Sequence, residues 1–476
     1  MNGAIPRLVI AALRGGAGKT TLSLGMAAAW NRRGKKVASF KKGPDYIDAA
    51  WLSVAAGNPC HNLDTFLMGG REVQRSFWQN AKAADIALIE GNRGLYDGVD
   101  GGGSHSTAEL AKLLRAPVIL IIDCNKVTRT AAAMVLGCQK LDQEVDIRGV
   151  ILNQVARSRH EDILRRSIEK ICHLPVMGAV PRMEDFPFPE RHLGLTPPQE
   201  HARVQNALKR AMEVAEKYLN LDQLWEIAEK NSWRVVRISG IREEKTVLGE
   251  HGTSSDKPVI GVVKDSAFQF YYPENLQALS DRGAKVIEVS AMQEKELPPV
   301  DALYIGGGFP ETHAKRLTEN ISFRNSLRQA VENGLPVYAE CGGLMYLGES
   351  LVISGQNFPM AGVLPVAFQM ERRPQGHGYT LWEIEKENPF FPVGLVLKGH
   401  EFHYSRLLWL REDEAYLAYA MKRGAGIDGK KDGLCCKNVL ATFSHIHALG
   451  TGEWSHALVE KARKYRLGKK NTMAVV

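Results

Sequence analysis

The stretch Leu8-Val-Ile-Ala-Ala-Leu-Arg-Gly-Gly-Ala-Gly-Lys-Thr-Thr21 joins an apolar run of strand length to a glycine-rich turn. Amphipathic spacing from Leu22 to Arg33 then predicts a helix that begins near Thr20. A strand, a turn that contains Gly16 and Gly18, and a helix together let backbone N–H groups converge on a phosphate. The stretch therefore predicts a phosphate-binding loop at the start of an α/β domain.

The residues at the end of this loop supply the charge and the metal ligand that a bound nucleotide requires. Lys19 can neutralise phosphate charge, and the hydroxyl of Thr20 can ligate Mg²⁺. The strict P-loop pattern has a glycine six positions before the lysine, where Leu13 stands here, and this departure indicates a subclass of such loops. The residues expected to hold the nucleotide are Gly16, Gly18, Lys19, Thr20 and Thr21.

The sequence around this loop alternates between continuous apolar runs and amphipathic segments. Continuous apolar runs suit parallel strands that are buried on both faces of a sheet. The alternation predicts a P-loop-type doubly wound parallel sheet within residues 1–228. The predicted strands are residues 8–12, 37–40, 86–89, 118–122 and 149–152.

A second α/β block follows a polar stretch. Residues 229–256 are predicted to form a linker, because they include Arg242-Glu-Glu-Lys245 and Gly252-Thr-Ser-Ser255. A second α/β domain is then predicted over residues 257–460. Its strand-length apolar runs are residues 259–263, 285–289, 302–305 and 336–339.

The formal charge of +8 comes mainly from one end of the chain. The 476 residues include 61 Lys and Arg against 53 Asp and Glu, and residues 461–470 hold six of the basic residues and no acid. Removing those six leaves 55 basic against 53 acidic residues, a balance that does not indicate a nucleic-acid-binding face. We interpret residues 461–476 as a solvated basic tail.

The composition is that of an ordinary globular protein. Hydrophobic residues make up 44% and charged residues 24%, which excludes a mainly disordered chain. The longest strongly apolar run, Ala116 to Ile122, is too short to span a bilayer. With no secretory pattern at the N-terminus, the sequence predicts a cytoplasmic protein with small-molecule partners and leaves a homodimer open.

Acidic residues in two loops are candidates to complete a magnesium site. Lys41-Lys-Gly-Pro-Asp-Tyr-Ile-Asp48 follows the second predicted strand, and Glu90-Gly-Asn-Arg-Gly-Leu-Tyr-Asp-Gly98 follows the third. Open α/β sheets bind ligands at the ends of such strands. We expect Asp45 and Glu90 to bind the metal with Thr20. Lys41 and Lys42, which lie beside Asp45 and Asp48 in the sequence, are expected to complete a polar active-site rim.

A cysteine in the second block lies between a strand and a helix. Tyr338-Ala-Glu-Cys-Gly-Gly-Leu-Met-Tyr-Leu347 places Cys341 on such a turn, where we expect the helix N-terminus to lower the pKa of the thiol. The glycine loop Tyr304-Ile-Gly-Gly-Gly-Phe-Pro-Glu311 offers backbone donors for an oxyanion, and the stretch Thr442-Phe-Ser-His-Ile-His447 offers a general base. The pattern indicates cysteine acyl transfer. The expected oxyanion donors are Gly307, Gly308 and Gly342.

Together these motifs closely resemble those of the cobyrinic acid a,c-diamide synthase family. The specific part is Lys42-Gly-Pro-Asp-Tyr-Ile-Asp48 with Glu190-Arg-His-Leu-Gly-Leu-Thr196, and the resemblance spans nearly the whole chain. It implies an ATP- and Mg²⁺-binding first domain and a class I glutamine amidotransferase-like second domain. Such amidotransferases usually carry a glutamate two positions after the histidine, where His447 stands here.

The resemblance also implies a division of labour between the two domains. Cys341 would attack the side-chain amide of glutamine while His445 transfers protons, and ammonia would amidate ring carboxylates that ATP has converted to acyl phosphates. In related folds an asparagine at the end of a later strand reads the adenine edge, and Asn153 fits that place. The substrate residues that we expect are Tyr46, Asp48, Asp97, Arg191 and His192.

Three alternatives stay open at this point. The same amidation could act on nickel-sirohydrochlorin or on hydrogenobyrinate, because no residue of the sequence identifies the metal in the ring. Cobyric acid synthase amidates other positions on the same ring. A partition or maturation ATPase would share the phosphate loop, but it would normally carry Lys where Arg14 stands and would not need Cys341.

Overall fold

The apolar runs of the first domain form parallel strands. A computed structural model describes residues 5–183, 190–191, 194–195, 198, 204–230 and 257–474. These residues form two compact units, the first reaching Lys230 and the second starting at Lys257, with residues 66–68 grouped in the second. The strands of the first unit are β1 (Arg7–Ala12), β2 (Val37–Lys42), β3 (His61–Leu63), β4 (Ile86–Glu90), β5 (Val118–Asp123), β6 (Ile147–Val155), β7 (Val176–Pro181), β8 (Glu190–Arg191) and β9 (Gly194–Leu195).

The main sheet of this unit has the order β3-β2-β4-β1-β5-β6-β7, and every pairing in it is parallel. From β1 the chain winds outward to one edge and then returns to wind toward the other. This confirms the predicted doubly wound sheet. The helices are α1 (Lys19–Arg32), α2 (Tyr46–Ala56), α3 (Gly70–Ala81), α4 (Thr107–Leu114), α5 (Thr130–Leu141), α6 (Ser158–Cys172), α7 (Val204–Tyr218) and α8 (Leu221–Lys230).

Parallel pairing brings the polar loops of the first unit to one edge of the sheet. Lys41 in β2 pairs with Glu90 in β4, and Ile10 in β1 pairs with the same glutamate. The phosphate loop follows directly after β1. All residues of β1, β2 and β4 are buried, so the site stands on a rigid apolar sheet.

The second unit is built on a mixed sheet. Its strands are β10 (Val259–Val263), β11 (Phe268–Phe270), β12 (Lys285–Val289), β13 (Ala302–Ile305), β14 (Gly307–Gly308), β15 (Val337–Glu340), β16 (Ser350–Ile353), β17 (Gln356–Pro359), β18 (Val366–Met370), β19 (Gly376–Ile384), β20 (Val396–His403), β21 (Ser405–Leu410), β22 (Tyr416–Arg423), β23 (Lys431–Cys436) and β24 (Val439–Thr442). In the described part of this unit the order of the main sheet is β12-β10-β13-β15-β24-β23-β22-β19-β20, parallel from β12 to β24 and antiparallel beyond.

The parallel half of this sheet confirms the four strands predicted in the second block, and with the helices it confirms the predicted α/β class. The antiparallel half was not anticipated from the sequence. A smaller sheet of order β17-β16-β18-β21 adjoins the helix Gly342–Leu347. The helices are α9 (Pro273–Asp281), α10 (Ala314–Glu319), α11 (Ile321–Glu332), α12 (Gly342–Leu347) and α13 (Gly452–Ala474).

The C-terminal basic segment is helical, which corrects the expectation of a separate solvated tail from residue 461. Helix α13 continues through Ala474, and Ala462 is fully buried. Arg466 forms an ion pair with Asp301 at 3.0 Å. A buried alanine and an ion pair therefore anchor a segment whose charge alone indicated solvation. Most of the predicted linker, residues 231–256, lies outside the described residues, and the linker stays a prediction.

Membrane insertion through a helix has no candidate in the described residues. Helix α13, with 23 residues, is long enough but carries many charges. None of the helices described meets the length and hydropathy that spanning a bilayer requires.

Two helix glycines provide a matched test of the packing in the first unit. A Cβ on Gly25 of α1 would lie 2.3 Å from the Ala211 carbonyl oxygen of α7, whereas a Cβ on exposed Gly137 of α5 would meet nothing within 4 Å. We expect Gly25→Ala to lower the free energy of unfolding by about 1–3 kcal/mol through overpacking. Gly137→Ala should raise it by about 1 kcal/mol through helix propensity. Chemical denaturation of both variants measures this, and equal effects of the same sign would contradict the packing.

Candidate active sites

The phosphate loop has the backbone conformation that its glycines permit. Gly16 and Gly18 have φ values of 70° and 92°, and helix α1 begins directly afterwards at Lys19. A Cβ on Gly18 would lie 2.4 Å from Nδ2 of Asn153, so a side chain there would be both strained and obstructed. The loop thus depends on glycine for its shape as well as for the approach of a ligand.

Asn153 lies against this loop at the end of β6. Its Nδ2 donates to the Ala17 carbonyl oxygen at 2.9 Å, and its Oδ1 accepts from the Gln154 N–H at 3.0 Å. The side chain is buried. The structure therefore gives Asn153 a role in supporting the loop, and recognition of a base by this residue stays a prediction.

Lys19 is held by the backbone of two loops. Its Nζ donates to the carbonyl oxygens of Arg14 at 3.0 Å and Arg93 at 2.6 Å. Burial lowers the pKa of Lys19 to about 8, with a further lowering from the charge of Lys41. A nearby phosphate would favour the charged form, so binding of an anion and protonation of this amine support each other.

A buried charge cluster lies directly behind the loop. Lys41 Nζ lies 2.6 Å from Asp48 Oδ2 and 2.7 Å from Glu90 Oε1, and the lysine side chain is only 2% exposed. The Thr20 hydroxyl donates to Glu90 Oε1 at 2.7 Å and lies 3.4 Å from Asp48 Oδ2. Burial works against the charge of Lys41, but Asp48 and Glu90 raise its pKa above the ordinary value. The predicted metal ligands Thr20 and Glu90 therefore meet, and Asp48 joins them.

Asp45 occupies a different place from the one expected. It is the N-cap of α2, and its Oδ1 accepts from the Asp48 N–H at 2.8 Å. Burial, followed by the charge of Asp48, raises the pKa of Asp45 to about 7. The sequence placed Asp45 at the metal and Asp48 at the substrate. In the structure Asp48, fixed by the Asp45 cap, is the carboxylate that lies beside Thr20. Which of the two carboxylates binds a metal and which the substrate stays a prediction.

The donor set fits a magnesium ion. Glu90 is fully buried, and its Oε2 makes no hydrogen bond to any described part of the chain. Carboxylate and hydroxyl oxygens are the ligands that Mg²⁺ prefers. Glu90 Oε2 is therefore a suitable ligand for a cation that arrives with a nucleotide. It is buried, and its carboxylate lies beside Thr20 at the start of α1.

The remaining predicted substrate residues have varied surroundings. Asp97 Oδ2 accepts from the Gly94 N–H at 2.8 Å and so shapes the loop after β4. Tyr46 is the first residue of α2, next to the cluster of Lys41, Asp48 and Glu90. Burial lowers the pKa of Lys42, the residue after Lys41. Arg191 lies in β8, where only the backbone is described, and His192 lies outside the described residues. Their binding of substrate stays a prediction.

Cys341 occupies a sharp turn between β15 and α12. Its φ is 47° and its ψ is −100°, a strained conformation for a residue with a side chain. Its N–H donates to the Thr442 carbonyl oxygen at 2.7 Å, so β24 holds the turn in place. Burial, followed by the charge of Glu311, raises the pKa of the thiol, although the Gly342 N–H lowers it. The expected lowering of this pKa is therefore wrong, because burial outweighs a helix of six residues.

The glycine loop lies against both the cysteine turn and the histidine. A Cβ on Gly307 would lie 2.4 Å from His445 Cε1, and one on Gly342 would lie 3.1 Å from the Gly308 nitrogen. The Gly306 N–H donates to the Tyr271 hydroxyl at 2.7 Å, which fixes the start of the loop. The structure therefore brings together the predicted oxyanion donors, the thiol turn and His445.

His445 is buried and faces a carboxylate that the sequence did not single out. Its Nδ1 lies 3.5 Å from Oε2 of Glu340, the residue before Cys341. The His400 ring stacks on it at 4.8 Å, and the two backbones pair at 2.7 Å and 3.1 Å. His400 stays neutral, because burial and then His445 lower its pKa well below the ordinary value.

Asp432 supports the loop that carries His445. Buried in β23, it accepts from the Thr442 hydroxyl at 2.7 Å and from the N–H groups of Phe443 and Ser444 at 3.0 Å and 3.2 Å. Burial raises its pKa to about 6. No sequence motif surrounds Asp432 in β23, so no sequence pattern points to it.

Comparison with known proteins adds to this geometry. Residues 8–195 match the model of the CobQ/CobB/MinD/ParA nucleotide binding domain, and residues 259–452 match that of the CobB/CobQ-like glutamine amidotransferase domain. A protein named cobyrinate a,c-diamide synthase from Magnetococcus marinus is 42% identical over 95% of this chain and 96% of its own. The chain belongs to the cobyrinate a,c-diamide synthase family. Its first unit is accordingly a nucleotide-binding domain and its second a glutamine amidotransferase domain.

Further relatives share this family name. The protein from Archaeoglobus fulgidus is 40% identical over 97% of this chain and 98% of its own. The protein from Dehalococcoides mccartyi strain CBDB1 is 40% identical over 93% of this chain and 95% of its own. A solved glutamine amidotransferase structure is 22% identical, with a TM-score of 0.32, and covers 43% of this chain and 98% of its own. The two named relatives, which match 97% and 93% of this chain, extend the family similarity through both units.

The low pKa of Lys19 predicts a pH-dependent affinity for nucleotide. In the free protein the Lys19 amine loses its proton as the pH rises through about 8. When a phosphate is bound beside it, the negative charge keeps this amine protonated. The complex therefore holds more protons, and affinity should fall up to about tenfold per pH unit above pH 8. Calorimetric titration with ATP in buffers of different ionisation enthalpy should show proton uptake approaching one.

The variant Lys19→Arg is the control for this assignment. A guanidinium stays charged throughout this range, so proton uptake should disappear even if affinity falls. Lys42, whose pKa burial also lowers, is unchanged in this variant. Proton uptake that persists in Lys19→Arg, or an affinity independent of pH in the wild type, would contradict the assignment to Lys19.

Proposed function

We propose that this protein catalyses the ATP- and glutamine-dependent amidation of the a and c carboxylates of cobyrinic acid. The observation that carries the proposal is the joint presence of a phosphate loop and a cysteine–histidine site in one chain. That chain matches relatives named cobyrinate a,c-diamide synthase over 93% or more of its length. The two sites correspond to the two halves of such a reaction, release of ammonia and activation of a carboxylate.

The glutaminase half is assigned to the second unit. The thiol of Cys341 gives its proton to His445 and attacks the side-chain amide carbon of glutamine, and the backbone N–H groups of Gly307, Gly308 and Gly342 stabilise the oxyanion. His445 then returns the proton to the leaving nitrogen, ammonia departs, and water hydrolyses the thioester to glutamate. Because burial raises the pKa of the thiol, the base is needed at the moment of attack.

The synthetase half is assigned to the first unit. The loop residues Gly16 and Gly18 bind the phosphates of ATP through their backbone, with Lys19 as the charge partner. A ring carboxylate oxygen attacks the γ-phosphorus, ADP leaves, and ammonia displaces phosphate from the acyl phosphate to form the amide. This order follows from chemistry, since a carboxylate does not react with ammonia until its oxygen is a good leaving group.

Magnesium fits the cluster of Thr20, Asp48 and Glu90. When bound, Mg²⁺ spreads the charge of the transferring phosphate. The protein residues keep the site ready for it: Asp45 fixes Asp48 through the helix cap, and Lys41 balances the carboxylate charge. Tyr46, Asp97, Arg191 and His192 are proposed to receive the ring, and Asn153 to border the adenine.

The direct test of this function is a comparison of rings. Purified protein is incubated with ATP, Mg²⁺, glutamine and, in turn, cobyrinic acid, hydrogenobyrinate or nickel-sirohydrochlorin, and product masses are followed. We expect two carboxylate-to-amide conversions on cobyrinic acid. Conversion of another ring in its place would redirect the substrate assignment, and no conversion on any ring would overturn the enzymatic proposal.

The variant Cys341→Ala tests the division of labour. Without the nucleophile, glutamine-dependent amidation should fall to background, while amidation supported by added ammonium salt should remain within about twofold of the wild type. Cys436→Ala, a change at a half-buried cysteine on β23, should retain both activities. Loss of the ammonia-dependent reaction in Cys341→Ala would contradict the separate assignment of the two half-reactions.

A further inference from the structure

The usual third member of a cysteine–histidine–glutamate triad has no counterpart at its ordinary position. His447 occupies that position, and its Nε2 lies 3.7 Å from Glu274 Oε2 of α9. Asn275 holds both neighbours of His447, because its Nδ2 donates to the Ile446 carbonyl oxygen at 3.1 Å and its Oδ1 accepts from the Ala448 N–H at 2.7 Å. His447 is thereby fixed against α9.

Glu340 places a carboxylate at the histidine from a different part of the chain. Its Oε2 lies 3.5 Å from His445 Nδ1, and the side chain is fully buried. Two donors fix its orientation: the Tyr304 hydroxyl donates to Oε2 at 2.9 Å, and the Ile446 N–H donates to Oε1 at 3.2 Å. The second donor belongs to the residue next to His445, so the carboxylate and the imidazole are held in one frame.

We propose that Glu340 is the positioning carboxylate of the glutaminase site and takes the place of the glutamate that usually follows the histidine. The proposal rests on the glutaminase function proposed above. A carboxylate at Nδ1 selects the tautomer that carries its proton there, which leaves Nε2 able to accept the thiol proton. The same charge stabilises the imidazolium that forms when Cys341 attacks the glutamine amide.

The surroundings of the pair support this role. Burial and then Glu340 raise the pKa of Tyr304 well above its ordinary value, so Tyr304 stays protonated and remains a donor. His400, the ring stacked on His445, stays neutral for the reason given above. Geometry supports the role independently, because a Cβ on Gly307 would lie 3.3 Å from His445 Nε2. The second ring nitrogen therefore faces the oxyanion loop while the first faces Glu340.

The strand that carries Glu340 also explains how it reaches the histidine. Glu340 is the last residue of β15 and pairs with Thr442 of β24, three residues before His445. Cys341 follows immediately in the strained turn. One strand end therefore delivers the nucleophile and the carboxylate on consecutive residues, and the neighbouring strand delivers the base.

The variant Glu340→Gln tests this proposal, because it keeps the shape of the side chain and removes the charge. We expect kcat for glutamine hydrolysis to fall about 10²-fold or more, with the KM for glutamine changed by less than about threefold. Ammonia-dependent amidation, measured on the same preparation, should stay near the wild-type rate. Glu340→Asp should recover part of the lost kcat, because it restores the charge at greater distance.

Glu274→Gln is the matched control, since it removes the charge of another buried glutamate that faces a histidine of the same loop. Its glutaminase kcat should stay within about threefold of the wild type. A glutaminase kcat in Glu340→Gln near the wild-type value would overturn the proposal. So would an equal loss in Glu274→Gln, or a parallel loss of ammonia-dependent activity and thermal stability in Glu340→Gln. A wild-type protein without glutaminase activity would instead overturn the proposed function.

Discussion

Parallel pairing of neighbouring strands is the constraint on which both sites depend. In a parallel pair the strands end at the same edge, so the residues that follow them are brought together however far apart they lie in the chain. In the first unit this register sets Lys41 beside Glu90, and in the second it sets Glu340 beside Thr442. The residues that carry the chemistry of each unit are therefore positioned by the register of buried strands.

Much of the fold could be predicted because buried parallel strands have a plain signature. Runs such as 118–122 are apolar throughout, and the glycine pattern that follows Ala12 has few structural alternatives. The strands between Ser350 and Cys436, most of which pair antiparallel, were missed, since strands such as β19 are buried only in part and lack a continuous apolar run. The charged end of α13 was misread because net charge conceals which residues of a helix are buried.

The sequence predicts most of the residues that meet at the two sites. It predicts less well what each of them does there. Asp45 and Asp48 both follow the same strand, and nothing in their spacing says which one caps the helix and which faces Thr20. Glu340 escaped notice because the usual pattern places the acid after the histidine. Its contact with His445 arises from strand register, which a linear motif does not record.

The turn at Cys341 has a consequence for how this chain can vary. A side chain held at φ 47° and ψ −100° costs of order 1–3 kcal/mol relative to a relaxed backbone, and a glycine would remove that cost. Selection for stability alone would therefore favour glycine over cysteine at this position, where the chemistry requires the thiol. A cysteine at this turn therefore lowers fold stability while it provides the nucleophile. The neighbouring strands β15 and β24 must supply enough stability to hold the strained turn in place.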